Sequence, residues 1–304
     1  MSTDREIDDV DVAIIGGGPA GCSAGVFTAR YGLDTVIFDR GRSSIRRCAY
    51  LENYPGFPAG IDIETFSALL HDHATEAGCE IVPDLVESID HSDDGDGFVI
   101  EPQEGRRVTA ARAIAATRYD GEYLRSLGDD AMFATREHDG EEYERFDRSY
   151  ADVDGRTPID GCYVASPSNG ADRQAIIAAG RGARAGHALI ADVRRDRGYP
   201  DPVAEQYDWV RKEAELTDEW RDRERWGEWF DDRLPDDHDG SEDRLDELRE
   251  HEIDRRLDQY LSEEEIVTRT RRGQSRLLEH VDDDRVLERA REIEAERRAV
   301  ETED

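Results

Sequence analysis

The 304-residue sequence predicts an α/β fold in which a mainly parallel sheet with a small β-meander is followed by an all-α C-terminal extension. Three observations carry that prediction. Residues 10–15 (VDVAII) are a short apolar, β-branched run stopped by glycine, the mark of a buried strand. Residues 19–30, a run of small residues with helical character, and residues 34–39 (DTVIFD), a second strand, complete a βαβ opening. After Gly198-Tyr199-Pro200 the apolar residues recur at helical spacing in a highly charged background.

The remaining elements follow in order. Residues 65–77 predict a helix with Phe66, Leu69 and Leu70 on one side, and residues 80–82 and 85–89 predict strands. Residues 93–97 alternate aspartate and glycine as a calcium loop does. However, Ser92 and Gln103 stand where such a loop needs an aspartate first and a bidentate glutamate last, so a hairpin turn is expected. FVI, RRVTA and ARAIAAT, between residues 98 and 117, predict the meander. Residues 121–151 are polar and mostly charged, residues 159–165 return as a buried strand, and residues 172–193 form an alanine-rich helix. Val203, Tyr207, Val210 and Ala214 predict a further helix, and Leu216, Trp220, Trp226, Trp229 and Phe230 continue an apolar stripe that reads as packing surface. Ser262 and Glu265 form a capping box, with Leu261 and Ile266 as its hydrophobic staple. The expected division is a first domain over residues 1–197, built from segments 8–120 and 155–195 with a short degenerate insert at 121–154, and a helical extension over 198–304.

Composition narrows the function. Acidic residues outnumber basic ones 74 to 40, the net charge is -34, and Lys212 is the single lysine. This usage resembles cytoplasmic proteins of salt-loving archaea, where concentrated salt screens self-repulsion. A partly disordered acidic protein is the plainer alternative, which the ordered pattern of the first half opposes. Nucleic acid is not an expected partner, since no basic stripe is present. No run of eighteen apolar residues exists and residues 1–9 lack a signal-peptide pattern, so a cytoplasmic protein without membrane contact is expected. Cys22, Cys48, Cys79 and Cys162 are scattered without a Cys-x-x-Cys pair, and no metal site is expected. His71 and His73 lie two positions apart on a helix and face different ways.

Gly16, Gly18 and Gly21 complete G-x-G-x-x-G between the first strand and the first helix. The first glycine permits the tight turn, the second lets backbone approach a pyrophosphate, and the third lets helix and strand pack closely. The helix N-terminus then presents unpaired N–H groups and a positive dipole end. Asp39, eighteen residues past Gly21 at the end of the second strand, is placed to accept from both ribose hydroxyls and to repel a 2′-phosphate. The domain is therefore Rossmann-like. A glycine-rich turn with Asp39 as a strand-end cap is the alternative. A second cluster, GRGARAG at 180–186, has the wrong spacing and no leading strand, so close helix packing is expected there.

IIGGGPAGCSAG, the DRG at 39–41 and LENYPGFPAGIDIETFSALLHDHATEAGCEI at 51–81 resemble the FAD domain of low-molecular-weight thioredoxin reductases. GCYVASPSNGADRQAIIAAGRGA, from 161, resembles that family's closing FAD segment. The resemblance implies FAD as cofactor. It implies a pyrophosphate site at Gly16, Gly18, Pro19, Ala20 and Gly21, and an adenosine site at Asp39 and Arg40. Ala116 and Thr117 correspond to the turn closing the first FAD segment, while Asn53, Arg173 and Gln174 correspond to positions beside the flavin. A helix N-terminus aimed at the flavin's pyrimidine side stabilises the reduced ring's negative charge; an ordinary solvated first turn is the alternative for Arg173 and Gln174.

The sequence also departs from that family. Arg118 replaces the glycine of the Ala-Thr-Gly turn, Ser166-Pro167 replaces the Gly-Asp that binds the ribityl chain, and Arg42-Ser43-Ser44-Ile45 replaces the Gly-Gly-Gln-Leu flavin loop. Only about forty residues separate Arg118 from Gly161, too few for the family's NADPH domain with its redox dithiol. The expectation is an FAD-dependent oxidoreductase, thioredoxin-reductase-like but without the dithiol mechanism, that takes electrons from an unidentified donor such as a protein. Cys48, flanked by Arg46 and Arg47, is the candidate for a redox thiol, an incidental cysteine being the alternative. A non-catalytic FAD- or nucleotide-binding relic acting as a scaffold is the competing expectation, with the C-terminal helices binding a partner or making a homodimer.

Overall fold

In the computed structural model, which describes residues 9–301 except 94, 105–106, 119–120, 139, 169–172, 236–237 and 239, β1 (Asp9–Ile15) lies mid-sheet because both its faces are apolar. Ala13 and Ile15 enter one core cluster and Val12 and Ile14 the other. The chain then runs through α1 (Pro19–Arg30), β2 (Thr35–Phe38), α2 (Ile63–Ala77), β3 (Glu80–Val82), β4 (Val86–His91), β5 (Phe98–Pro102) and β6 (Val108–Ala116). It continues through β7 (Phe133–His138), β8 (Glu141–Phe146), β9 (Cys162–Ser166), α3 (Ala175–Asp196) and α4 (Asp201–Ala204). The main sheet has the order β3-β2-β1-β6-β5-β4. β1 pairs in parallel with β2 and β6, aligning Ile14 with Ile37 and Ile114. One edge of β6 is divided, its start pairing antiparallel with β5 and its end pairing parallel with β9.

α1 and α3 pack on one face with their backbones in close approach. A Cβ on Gly182 would fall 1.9 Å from the Ala20 carbonyl oxygen, and one on Gly186 would fall 3.1 Å from that of Ala24. The 180–186 glycine cluster is thus a helix contact, as its spacing predicts. The other core cluster has an unforeseen contributor: Tyr123, Leu124, Leu127 and Met132 are buried with Val86, Ile89 and Ile100, together with Phe146.

Four expectations are corrected. Residues 108–116, drawn from both the RRVTA and the ARAIAAT stretches, form one strand, β6, rather than two, because they pair along β1. The 121–154 insert, for which the sequence predicts no element, has among its described residues two 3-10 turns (Glu122–Leu127 and Asp130–Met132) ahead of the β7–β8 hairpin, held by the apolar residues named above. The alanine-rich helix begins at Ala175, and Asp172 lies outside the described residues. No helix forms through Val203, Tyr207, Val210 and Ala214. α4 stops at Ala204 because the Val203 carbonyl, which a continuing helix would use, accepts instead from Arg194 Nη2 at 2.9 Å.

The described residues divide into two compact units between Asp208 and Trp209, rather than at residue 197. The second unit contains β10 (Arg211–Lys212), α5 (Asp218–Arg221), α6 (Arg223–Asp231), α7 (Glu242–Leu257), β11 (Tyr260–Leu261), α8 (Glu263–Leu278) and α9 (Asp283–Glu301). β10 and β11 pair in parallel, a two-residue ladder within the helical extension. Trp226, Phe230, Leu245, Leu248 and Ile253 are buried, and Arg256 stacks 3.8 Å from the Trp229 ring centroid. The Ser262–Glu265 capping box is formed, with Ser262 N–H donating to Glu265 Oε2 at 2.9 Å and Glu265 N–H to Ser262 Oγ at 3.3 Å. Among the described residues no helix is long and apolar enough to cross a membrane.

Candidate functional site

From β1 the chain turns one way to β2 and later reaches β6 on the other side, so a crevice opens beyond the carboxyl ends of these strands. Gly16 makes the first turn at φ +113°, a conformation L side chains rarely adopt, and a Cβ there would fall 2.8 Å from the Ala116 carbonyl oxygen. Gly18 caps α1 without a side-chain hydrogen bond, so the N–H groups of its first turn stay unclaimed by a capping side chain. A Cβ on Gly18 would meet Ser43 Oγ at 2.8 Å, and one on Gly21 would fall 1.7 Å from the Gly16 carbonyl oxygen. The first two glycines shape the cleft, and the third seats α1 on the loop.

The cleft has a volume of about 660 Å³. Gly16, Gly18, Pro19, Ala20, Asp39, Arg40, Asn53, Ala116, Thr117, Arg173 and Gln174 all line it, and so does Cys48. Gly21 does not, since its place is the helix contact just described. Three distant stretches of chain therefore meet at one place. Asn53 Nδ2 donates to Gln174 Oε1 at 3.0 Å, joining the ENYPGF loop to the start of α3. The loop is closed at its base by reciprocal Leu51–Ile61 backbone bonds of 2.9 Å, with Tyr54 and Phe57 packed around Phe66. Thr117 and Tyr123 hydroxyls are 2.9 Å apart, so the turn after β6 is held by the insert. Cys48 is exposed, whereas Cys22, Cys79 and Cys162 are buried, and burial pushes the Cys79 and Cys162 thiols up to about 12.

Asp39 is only 8 % exposed at its side chain and engaged on both oxygens. Oδ1 accepts from Gly41 N–H at 3.0 Å, and Oδ2 lies 3.0 Å from His71 Nε2, which is also 2.9 Å from the Gly17 carbonyl oxygen. Both neighbours of Nε2 accept only, so that nitrogen carries the proton. Burial opposes the Asp39 charge, but the bonds from His71 and Gly41 and the charge of Arg46 outweigh it and hold the carboxyl below its usual range. The hydrogen bond to Asp39, aided by Cys22, pushes His71 up to about 10 against the effect of burial. Sequence reasoning missed His71. Its one signal was its place in α2 beside Leu70 and one turn before the buried Ala74, on the shoulder of the apolar face.

Charge was also missed. The lining includes Arg40, Arg42, Arg47, Arg118 and Arg173 against Asp39, Glu52 and Asp84, an excess of two positive charges in a chain of net charge -34. The replacement residue Ser166 also lines the cleft, while Pro167 has no N–H to offer a ligand.

Residues 10–132 match the family described as pyridine nucleotide-disulphide oxidoreductase. A thioredoxin reductase of Streptomyces clavuligerus is 33% identical over 121 residues, covering 39% of this chain and 36% of that protein. The thioredoxin reductase of Aquifex aeolicus is 33% identical over 109 residues, 35% of this chain and 34% of that protein. The chain thus spans about a third of the length of these curated relatives. Among solved structures, a thioredoxin reductase from Gloeobacter violaceus aligns with a TM-score of 0.50 at 17% identity, covering 68% of this chain and 99% of that one. An oxidoreductase from Agrobacterium tumefaciens aligns with a TM-score of 0.50 at 15% identity, covering 62% and 99%. At such identity the structural likeness shows the fold alone.

Proposed function

We propose that this chain, whose residues 10–132 match the pyridine nucleotide-disulphide oxidoreductase family and are similar to part of thioredoxin reductases, binds FAD in the cleft and works as an FAD-dependent oxidoreductase. The observation that carries the reading is the convergence of the glycine loop, Asp39, Asn53, Ala116, Thr117, Arg173 and Gln174 on one cleft. Charge supports it, since a dianionic pyrophosphate would neutralise the excess of two positive charges on the lining. The backbone of the cleft wall fits this too, since glycine at 16 and 18 lets the loop lie closer to Ala116 and Ser43 than a Cβ would allow.

In this reading the α1 N-terminus and Gly18 bind the pyrophosphate, Asp39 accepts from the adenosine ribose, and Arg40 flanks it. Asn53, Arg173 and Gln174 orient the flavin, and the α3 N-terminus stabilises negative charge on the ring. When bound, FAD supplies the electron or hydride transfer. The donor and substrate come from outside the chain, a protein donor among the candidates. In this reading the dithiol route is not used, which is supported by Cys48 lining the cleft while Cys22, Cys79 and Cys162 are buried. The acidic composition fits a cytoplasm rich in salt.

A second reading, a nucleotide-binding relic that serves as a scaffold, draws on Ser166 and Pro167, where the family has a ribityl-binding aspartate, and on Arg118. An absorption spectrum of the purified protein in concentrated potassium chloride separates the two. A two-banded flavin spectrum that bleaches with dithionite, with FAD released on denaturation, is the expected result. A protein that stays colourless after incubation with FAD refutes the oxidoreductase reading.

A further inference from the structure

His71 belongs to α2, outside the three stretches that build the cleft, yet its imidazole reaches both the glycine loop and the acid at the end of β2. We infer that His71 is a positioning residue of the nucleotide site, whose Nε2–H clamps the Asp39 carboxylate and the Gly17 carbonyl in the arrangement that receives the adenosine ribose and pyrophosphate. This rests on the FAD reading above and adds a residue that acts on the nucleotide through Asp39.

The geometry gives the physical reason. Asp39 sits where water is largely excluded, and a buried carboxylate without a cationic partner tends to protonate or turn outward. Gly41 N–H secures one oxygen and His71 the other, and each carboxylate oxygen keeps a further lone pair with which to accept from a hydroxyl. A Cβ on Gly17 would lie 2.5 Å from Asp39 Cβ, so the loop and the acid touch directly and a single donor can hold both. The charged and titratable groups facing the pair are Cys22 from α1 and Arg46 from the 3-10 turn at Ser44–Arg47. Arg46 acts on Asp39 in the same sense as His71.

The sign of the pH dependence follows. His71 stays an imidazolium up to about 10, so the clamp is charged at neutral pH; as pH rises through that value the charge leaves with the Nδ1 proton, while Nε2 keeps the hydrogen it donates. Asp39, held low, stays ionised across the same interval. Nucleotide affinity therefore falls on the alkaline side as His71 deprotonates.

The test is titration of the full chain with ADP and with FAD, comparing wild type, His71→Leu and His71→Gln. ADP reports the adenosine and pyrophosphate half without the flavin, whose own titration would confuse an alkaline profile. Loss of a charge-assisted bond at a buried carboxylate predicts that His71→Leu weakens both ligands about ten-fold or more. His71→Gln, which keeps an N–H donor, is expected to recover part of the affinity near about pH 8 and to lack the alkaline fall. Circular dichroism of each variant verifies folding, and the glutamine variant keeps the test open should leucine unfold the protein. Wild-type affinity and an unchanged alkaline profile in a folded His71→Gln overturn the inference while leaving FAD binding intact. Failure of the wild type to bind either ligand overturns the FAD reading and this inference together.

Discussion

Gly21 tolerates no side chain, because the carbonyl oxygen of Gly16 occupies the place a Cβ would take, at 1.7 Å. Both partners are backbone, so the conflict has no cheap relief, and alanine at this position must push α1 off the loop. Gly21→Ala is expected to destabilise the protein by about 3 kcal/mol, the upper range for overpacking, and to lower FAD affinity along with it. Thermal unfolding with and without FAD measures both effects; an unchanged midpoint would show that α1 moves freely. Most of the candidate site was legible at this scale. Glycine spacing announces a turn by the conformations only glycine adopts, and an acid at a strand end has a fixed distance from that turn. His71 was not legible, because its partners lie 32 and 54 positions earlier and only the packing of α2 brings them within reach. The arginine lining was hidden for the same reason, since five charges spread from Arg40 to Arg173 converge only in the folded chain.

At the scale of the element, α3 carries two glycines with opposite consequences. A Cβ on Gly180 would meet nothing within 4 Å, whereas one on Gly182 would fall 1.9 Å from the Ala20 carbonyl oxygen. Gly180→Ala removes the entropic penalty of a helical glycine and is expected to stabilise by about 0.5–1 kcal/mol. Gly182→Ala forces α3 away from α1 and is expected to destabilise by about 1–3 kcal/mol. Urea unfolding of the pair checks the contrast, and equal shifts would refute the close contact. The elements that the sequence foretold share a local cause: β1, α1 and β2 have runs of one period bounded by glycine. The 122–146 segment escaped because Tyr123, Leu124, Leu127, Met132 and Phe146 follow no single period, and their burial is decided by β4 and β5 across the sheet. The helix expected beyond Val203 has the right period but loses its first carbonyl to Arg194, a tertiary contact that overrides local propensity.

For the whole molecule, salt acts on two electrostatic terms of opposite sign. Local pairs such as Arg285–Glu288 and Arg298–Glu294 on α9 stabilise the helix, each by about 0.2–0.5 kcal/mol, and screening weakens them. The net charge of -34 opposes compactness, and screening relieves it. Two like charges about 10 Å apart in water repel by about 0.4 kcal/mol before screening, similar to one helical pair. Each pair involves one contact, but every unbalanced carboxylate repels many others, so the repulsive sum grows faster than the number of charges. Repulsion therefore dominates, and added potassium chloride is expected to raise the unfolding midpoint. Most of the gain should come as the Debye length falls from about 10 Å to about 3 Å, between roughly 0.1 and 1 M salt. Thermal melts across a potassium chloride series decide the matter. A midpoint that falls with salt would mean that the arginine–carboxylate pairs outweigh the global charge, whereas a rise confined to salt above that range would assign the effect to strengthened apolar burial instead of screening.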